Sequence, residues 1–260
     1  MDVIIYRTRA LNPVVEAEVI RLKHDLPDFA VVVVAYQSDY GANDHNQGVF
    51  RYGAAHLAAL PYPAKLAGMD YQNTTGHNDL PVLQFYRDHP QYDAYWVIED
   101  DVRWTGATWR LLMDELQTST ADLLGTAVQT RSEAPMWHWW PTLRAPYVRP
   151  FEATKAFCPF LRASKAAMVA IDDAYQRGWG GHYESTWPSI CAASGLQIAD
   201  IGGNGRFTPD RWRGKHYSND PHVWSLAPGT FVWRPKFHAD DFKTFARAFA
   251  GQPMLWHPVR

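Results

Sequence analysis

The chain has 260 residues, 47% hydrophobic and 20% charged, which suffices for a full apolar core and excludes the disordered and fibrous classes. A formal net charge of −2 offers no basic field to a nucleic-acid polymer. The two cysteines, Cys158 and Cys191, lack metal-ligand spacing and suit reduced thiols in the cytosol, and no apolar window approaches the roughly eighteen residues of a transmembrane segment, so the expected location is cytoplasmic.

Val3 to Tyr6 reads as a short strand, and Pro13 to Leu26 as a helix with Val15, Val19 and Leu22 on one face. Phe29 to Tyr36, a β-branched run without polar interruption, is a central strand. It runs into Gln37-Ser38-Asp39-Tyr40-Gly41, a polar loop of the kind found at the carboxyl edge of an open α/β sheet, where ligands bind. Asp39 and Tyr40 are candidate nucleoside contacts, against plain turn chemistry around Gly41. Asn43 to Pro63 reads as an irregular βα unit. Asn73 to Asp79 is a loop opening a helix over Val82 to Arg87, with Pro81 near its first turn.

Asp93-Ala94-Tyr95-Trp96-Val97-Ile98-Glu99-Asp100-Asp101-Val102 is the organising stretch: a buried strand ending in three consecutive carboxylates. Strand alternation sends Glu99 and Asp101 to one face and Asp100 to the other. Adjacent acids repel, and a hard divalent cation such as Mg²⁺ or Mn²⁺ relieves that repulsion while leaving positions for phosphate oxygens. The competing expectation is that Asp100 and Asp101 are first-turn helix acids favoured by the dipole.

Ala107 to Gln117 then reads as an amphipathic helix with Trp109, Leu112 and Leu116 inward, followed by a strand over Ala121 to Val128. Pro135-Met136-Trp137-His138-Trp139-Trp140-Pro141 is the densest aromatic patch, expected either as a sugar-acceptor platform or as a hydrophobic plug closing one end of the sheet. Lys155 to Arg162 is a further strand, and Ser164 to Tyr175 a helix with Ser164 as N-cap. Gly180-Gly181-His182-Tyr183-Glu184 precedes a helix over Ser185 to Ser194, displaying His182 and Glu184 at its N-terminus; Leu196 to Ile201 is another short strand. Beyond Gly202 come Arg206, Arg211, Arg213, Lys215 and His216, a short helix over Asp240 to Phe249, and a His257-Pro258-Val259-Arg260 end. Repeated strand, helix and strand argue for an α/β fold with an open, mainly parallel sheet flanked by helices. One domain over residues 1–260, with a loop-rich C-terminal third, is expected.

The Ile-Glu-Asp-Asp-Val block at a strand end, the Gly-rich loop with His182-Tyr183-Glu184 opening a helix, and the His-Pro-Val-Arg end together resemble the GT-A class of glycosyltransferases. Glu99-Asp100-Asp101 is similar to the Asp-X-Asp motif of that class, in an Ile-Glu-Asp-Asp-Val variant. The resemblance implies a metal-dependent, cytoplasmic enzyme, inverting, moving a sugar from a nucleotide-sugar donor to a hydroxyl of a glycan or other acceptor in polysaccharide biosynthesis. It implies a donor held by Tyr36, Asp39, Asn78, Asp79, Glu99 and Asp100. It also implies Mn²⁺ or Mg²⁺ on Asp101 with Asp100, the shell completed by His216 or His238. Arg211, Arg213 and Lys215 are candidate diphosphate clamps, or a solvated charge run. Glu184 is the candidate general base with His182 orienting it or the acceptor, against a first-turn acid; Trp137, Trp139 and Trp140 are the candidate acceptor platform. The rivals are a nucleotidyltransferase using the same metal, for which no Gly-rich phosphate loop follows Tyr36, and a non-catalytic glycan-binding protein, which gives the clustered acids no purpose.

Overall fold

The computed structural model describes residues 1–36, 47–67, 69, 76–146, 150–218, 229–233, 236–248 and 251–260. In chain order the elements are β1 (Val3–Thr8), α1 (Pro13–Asp25), β2 (Ala30–Tyr36), β3 (Val49–Tyr52), α2 (Ala54–Ala58), α3 (Pro63–Leu66), α4 (Leu80–Asp88), β4 (Ala94–Glu99) and β5 (Arg103–Trp104). They continue with α5 (Trp109–Gln117), β6 (Leu123–Thr130), β7 (Thr154–Ser164), α6 (Lys165–Gln176), α7 (Tyr183–Ala193), β8 (Ile198–Asp200), α8 (Ala239–Ala248) and β9 (Leu255–Trp256).

Seven strands form one sheet in the order β3-β2-β1-β4-β7-β6-β8. The β1–β2, β1–β4, β2–β3 and β6–β8 pairs are parallel, and β7 runs antiparallel to both neighbours. This is the expected open, mainly parallel α/β sheet flanked by helices. Both faces are covered, which is why its strands read as unbroken apolar runs. Val3, Ile5, Val32, Val34, Tyr95 and Val97 pack on the side of α4, α6 and α7, with Leu83, Ile171 and Trp187. Their alternates Ile4, Tyr6, Val31, Val33, Trp96 and Ile98 pack on the side of α1 and α5, with Leu22, Trp109 and Leu116.

Local chemistry sets the helix starts. Asn12 accepts from the amides of Val14 and Val15 at 2.9 and 3.1 Å, with Pro13 opening α1. Ser164 accepts from the Ala167 amide at 3.1 Å and caps α6 as expected. β9 pairs antiparallel with β5 and carries the end of the chain back to the carboxyl end of β4. No described helix is long and apolar enough to cross a membrane.

Beneath α7 lies a buried ion pair. Lys65 Nζ sits 3.1 Å from Asp79 Oδ1, with neither side chain reaching solvent. The ammonium also donates to the carbonyls of Gly76 at 3.1 Å and Gly181 at 2.8 Å, and Asp79 Oδ2 accepts from Tyr175 Oη at 2.7 Å and Trp187 Nε1 at 3.0 Å. Five chain segments therefore meet on one pair of charges. Lys65→Met strands Asp79 without its cation and is expected to cost about 3–5 kcal/mol in urea denaturation. Asp79→Asn, which keeps an acceptor for Tyr175 and Trp187, should cost less.

Candidate functional site

β4 delivers its acids at the carboxyl edge of the sheet, where the parallel strands end. After Glu99 the chain turns, with the Val102 amide donating to the Glu99 carbonyl at 3.0 Å and the Asp100 amide to the Arg7 carbonyl at 3.0 Å. Glu99 Oε1 faces Arg7 at 2.9 Å and accepts from Tyr183 Oη at 3.2 Å. Asp100 separates from its neighbours, its Oδ2 accepting from Thr8 Oγ1 at 2.6 Å. Asp101 is buried and meets the end of the chain: Arg260 reaches Oδ2 at 2.7 Å, and His257 Nε2 lies 3.1 Å from Oδ1. Glu99 and Asp101 thus share one side and Asp100 does not, as alternation implied, although a turn rather than an extended strand arranges them.

Glu99, Asp101 and His257 each offer a ligand atom within 4.8 Å of the others. His257 Nδ1 lies 2.7 Å from the Val232 carbonyl oxygen, which only accepts, so the ring proton is assigned to Nδ1. Nε2 then faces the Asp101 carboxylate oxygen, and either a proton on Nε2 or a bound cation would join the two. A backbone acceptor on the far nitrogen is also what fixes a metal-binding imidazole. Two carboxylates and one imidazole fit a divalent cation. Burial works to raise the Asp101 pKa, but its contacts with His257 and Arg260 outweigh it and hold the carboxyl well below the usual range.

These groups line a cleft of about 1120 Å³, together with Arg7, Arg9, Arg103, Lys236, Lys243 and Arg260. The same cleft is lined by Asn78, Trp137, Trp139, His182 and Glu184. His182 caps α7, its Nδ1 accepting from the Glu184 amide at 3.3 Å. Its ring stacks on Trp139 at 4.5 Å and 19° and on Tyr183 at 5.3 Å and 23°. Burial, then the positive charge of Lys65, lowers the His182 pKa to about 3, so the ring is neutral. Among the described residues the Glu184 carboxyl receives the Cys158 amide, at 3.4 Å, and faces His182 Nδ1 at 3.8 Å. Burial pushes its carboxyl up to about 8, against the Cys158 amide and with help from Glu99.

Several sequence expectations land elsewhere. His216 is buried against Trp212 and faces Glu115 at 3.8 Å, and His238 is exposed beside α8; neither joins the carboxylates, and His257 occupies that place. The β5–β9 pairing decides this, since it brings the Val259 amide to the Asp101 carbonyl at 2.8 Å. Asp79 is consumed by Lys65 and lies below the cleft wall. Tyr36 closes β2 at 9% exposure, in register with Tyr52, and does not line the cleft. Arg211 covers the Trp212 ring, Arg213 pairs with Asp210 and Lys215 with Glu115, and none of the three lines the cleft, where a diphosphate clamp was expected. Trp140 is a buried plug whose Nε1 donates to the Ala134 carbonyl at 2.7 Å, while Trp137 and Trp139 reach the cleft. Asp39 and Tyr40 lie outside the described residues.

Glu184 yields a stability test. Its folded pKa of about 8 stands above the ordinary 4.5, so over that window the folded state keeps a proton that the unfolded state releases. Wild-type stability therefore falls as pH rises through the window, and glutamine has no such dependence. The extra stability of Glu184→Gln should grow from about pH 5 to about pH 8 and then level off, measured as urea midpoints.

No protein-family profile matches the chain, and no curated protein matches it. Among solved structures it is similar to core-mannan synthase A of Aspergillus fumigatus in its Mn/GDP form, at 13% identity and a TM-score of 0.41 over 90% of this chain and 80% of that one. It is similar to the mannosyltransferase Ktr4p of S. cerevisiae in complex with GDP at 11% identity, with a TM-score of 0.41 over 90% and 77% of the two chains. A197 from STIV is similar at 7% identity and a TM-score of 0.28, over 65% and 66%. Likenesses of this strength add nothing to the chemistry of the site.

Proposed function

We propose that this chain is a metal-dependent glycosyltransferase that moves a sugar from a nucleotide-sugar donor to an acceptor hydroxyl, with inversion, within a single catalytic domain. The observation that carries this is the Glu99, Asp101 and His257 cluster, which opens on a cleft also lined by cations, by the buried Glu184 carboxyl and by Trp137 and Trp139.

Glu99, Asp101 and His257 would hold Mn²⁺ or Mg²⁺. Bound there, the ion supplies Lewis-acid stabilisation of the negative charge that develops on the departing nucleoside diphosphate. Arg9, Arg103, Lys236 and Lys243 add fixed positive charge around the same anion. Trp137 and Trp139 offer flat apolar faces to the C–H face of an acceptor sugar. The stacked, neutral His182 ring cannot compete with Glu184 for a proton at neutral pH.

Glu184 accepts the acceptor hydroxyl proton as that oxygen bonds to the anomeric carbon and the bond from that carbon to the diphosphate oxygen breaks. A base with a pKa near 8 is matched to this task, since it is partly ionised at neutral pH and strong enough to take the proton. A nucleotidyltransferase would use the same acids, but it leaves the tryptophans beside Glu184 without a role. With both cysteines free and no membrane-crossing helix among the described residues, we place the enzyme in the cytoplasm, acting on precursors of a polysaccharide.

A thermal-shift panel of UDP-, GDP-, CMP- and TDP-sugars, with and without Mn²⁺, tests the reading. One nucleotide should stabilise the wild type only with metal, and Asp101→Asn should abolish that response. Metal-independent or absent responses across the panel would overturn it. Glu184→Gln should keep the metal-dependent donor shift and lose at least about a hundredfold in transfer rate, measured as donor consumption with acceptor present.

A further inference from the structure

We propose that Arg260 is a partner-exchanging cation: it neutralises Asp101, and it passes to the donor's diphosphate when Asp101 turns to a divalent cation. The inference rests on the reading of Glu99, Asp101 and His257 as metal ligands.

The charge count at the cluster forces the question. Glu99 is matched by Arg7 at 2.9 Å, and Asp101 by Arg260, whose Nη2 and Nε both reach Oδ2, at 2.7 and 2.8 Å. Each carboxylate already has its own guanidinium. A doubly charged ion on the other oxygens of these carboxylates, the partner-free Asp101 Oδ1 among them, would still face two cations at close range, and withdrawal of one guanidinium relieves that repulsion.

Exposure decides which one. The Arg7 side chain is 10% exposed and rises from β1, held between β2 and β4, so withdrawal would leave a buried guanidinium unpaired. The Arg260 side chain is 57% exposed, and water can take its charge at little cost. Its backbone stays fixed meanwhile: the Arg260 amide donates to the Phe237 carbonyl at 2.8 Å, and its carbonyl accepts from the Ala239 amide at 3.0 Å. The guanidinium therefore swings from an anchored base and stays inside the cleft, on the side where Lys236 and Lys243 lie. A planar fork of donors beside a metal site matches the paired oxygens of a diphosphate. Metal and nucleotide then bind cooperatively, because the first releases the group that the second needs.

The test is a Mn²⁺ titration followed by electron paramagnetic resonance on wild type, Arg260→Ala, Arg260→Gln and Arg260→Lys, with circular dichroism confirming the fold of each. Calorimetric titration with GDP and with UDP at saturating Mn²⁺ follows. Arg260→Ala and Arg260→Gln should bind Mn²⁺ alone about three- to tenfold more tightly than wild type, the range expected for removing an exposed competing cation. Both should bind the nucleoside diphosphate more weakly, while Arg260→Lys stays near wild type for Mn²⁺ and falls between for the nucleotide. Unchanged or weaker Mn²⁺ binding by the neutral variants, in a wild type that does bind Mn²⁺, overturns the exchange and leaves the metal site standing. No Mn²⁺ binding by any of the four proteins overturns both.

Discussion

Two buried carboxylates at the end of one strand demand positive charge from elsewhere, and much of this molecule's tertiary organisation answers that demand. Glu99 is met by Arg7 from the neighbouring strand β1, and Asp101 by His257 and Arg260 from a chain end that β9 ties to β5. Tyr183, from the start of α7, adds its hydroxyl to Glu99. Left uncompensated, these charges would carry a desolvation penalty of several kcal/mol each. Complete neutralisation by protein cations alone would in turn leave nothing for a ligand. An exposed arginine on one acid and a buried one on the other sit between those limits.

A second pair of charges serves the opposite purpose. Lys65 and Asp79 are sealed from water, and their partners are backbone carbonyls and ring donors of the surrounding segments. The Gly76 and Gly181 carbonyls held by Lys65 belong to the loops flanking His182, and a β-carbon on Gly76 would lie 2.7 Å from the His182 ring. Close packing and a nearby ammonium both work against an imidazolium. The neutral ring is therefore a product of the floor beneath it as much as of its own position.

Most of the sheet was legible because its strands are long, apolar and buried on both faces, β2 and β4 above all. The acids at the end of β4 and the carboxyl at the start of α7 were legible too, since each interrupts an apolar or glycine-rich pattern. The third member of the cluster was not. His257 reaches Asp101 through a two-residue strand, too short to leave a periodic signal, and Arg260 lies 159 residues from its partner. His216 and His238 were equally eligible by composition, and only a tertiary pairing separates them from His257. Asp79 shows the converse: a polar loop residue before a helix looks available, and nothing local announces that Lys65 will bury with it. The Arg211 to Lys215 run looked like a clamp because net cationic character is visible in sequence, whereas the acids that absorb it, Asp210 and Glu115, become partners through local and long-range folding respectively.

The short β5–β9 ribbon also gives the molecule two unequal levels of cohesion. The seven-stranded sheet is held by long registers and two apolar layers, whereas the segment bearing His257 and Arg260 is fastened by a two-residue ladder, isolated bridges to Phe231 and Phe237, and the burial of Leu255, Trp256 and Val259. Local opening is governed by the weakest cooperative unit rather than by the whole. Peeling away that ribbon would separate His257 and Arg260 from Asp101 and leave most of the sheet's registers intact.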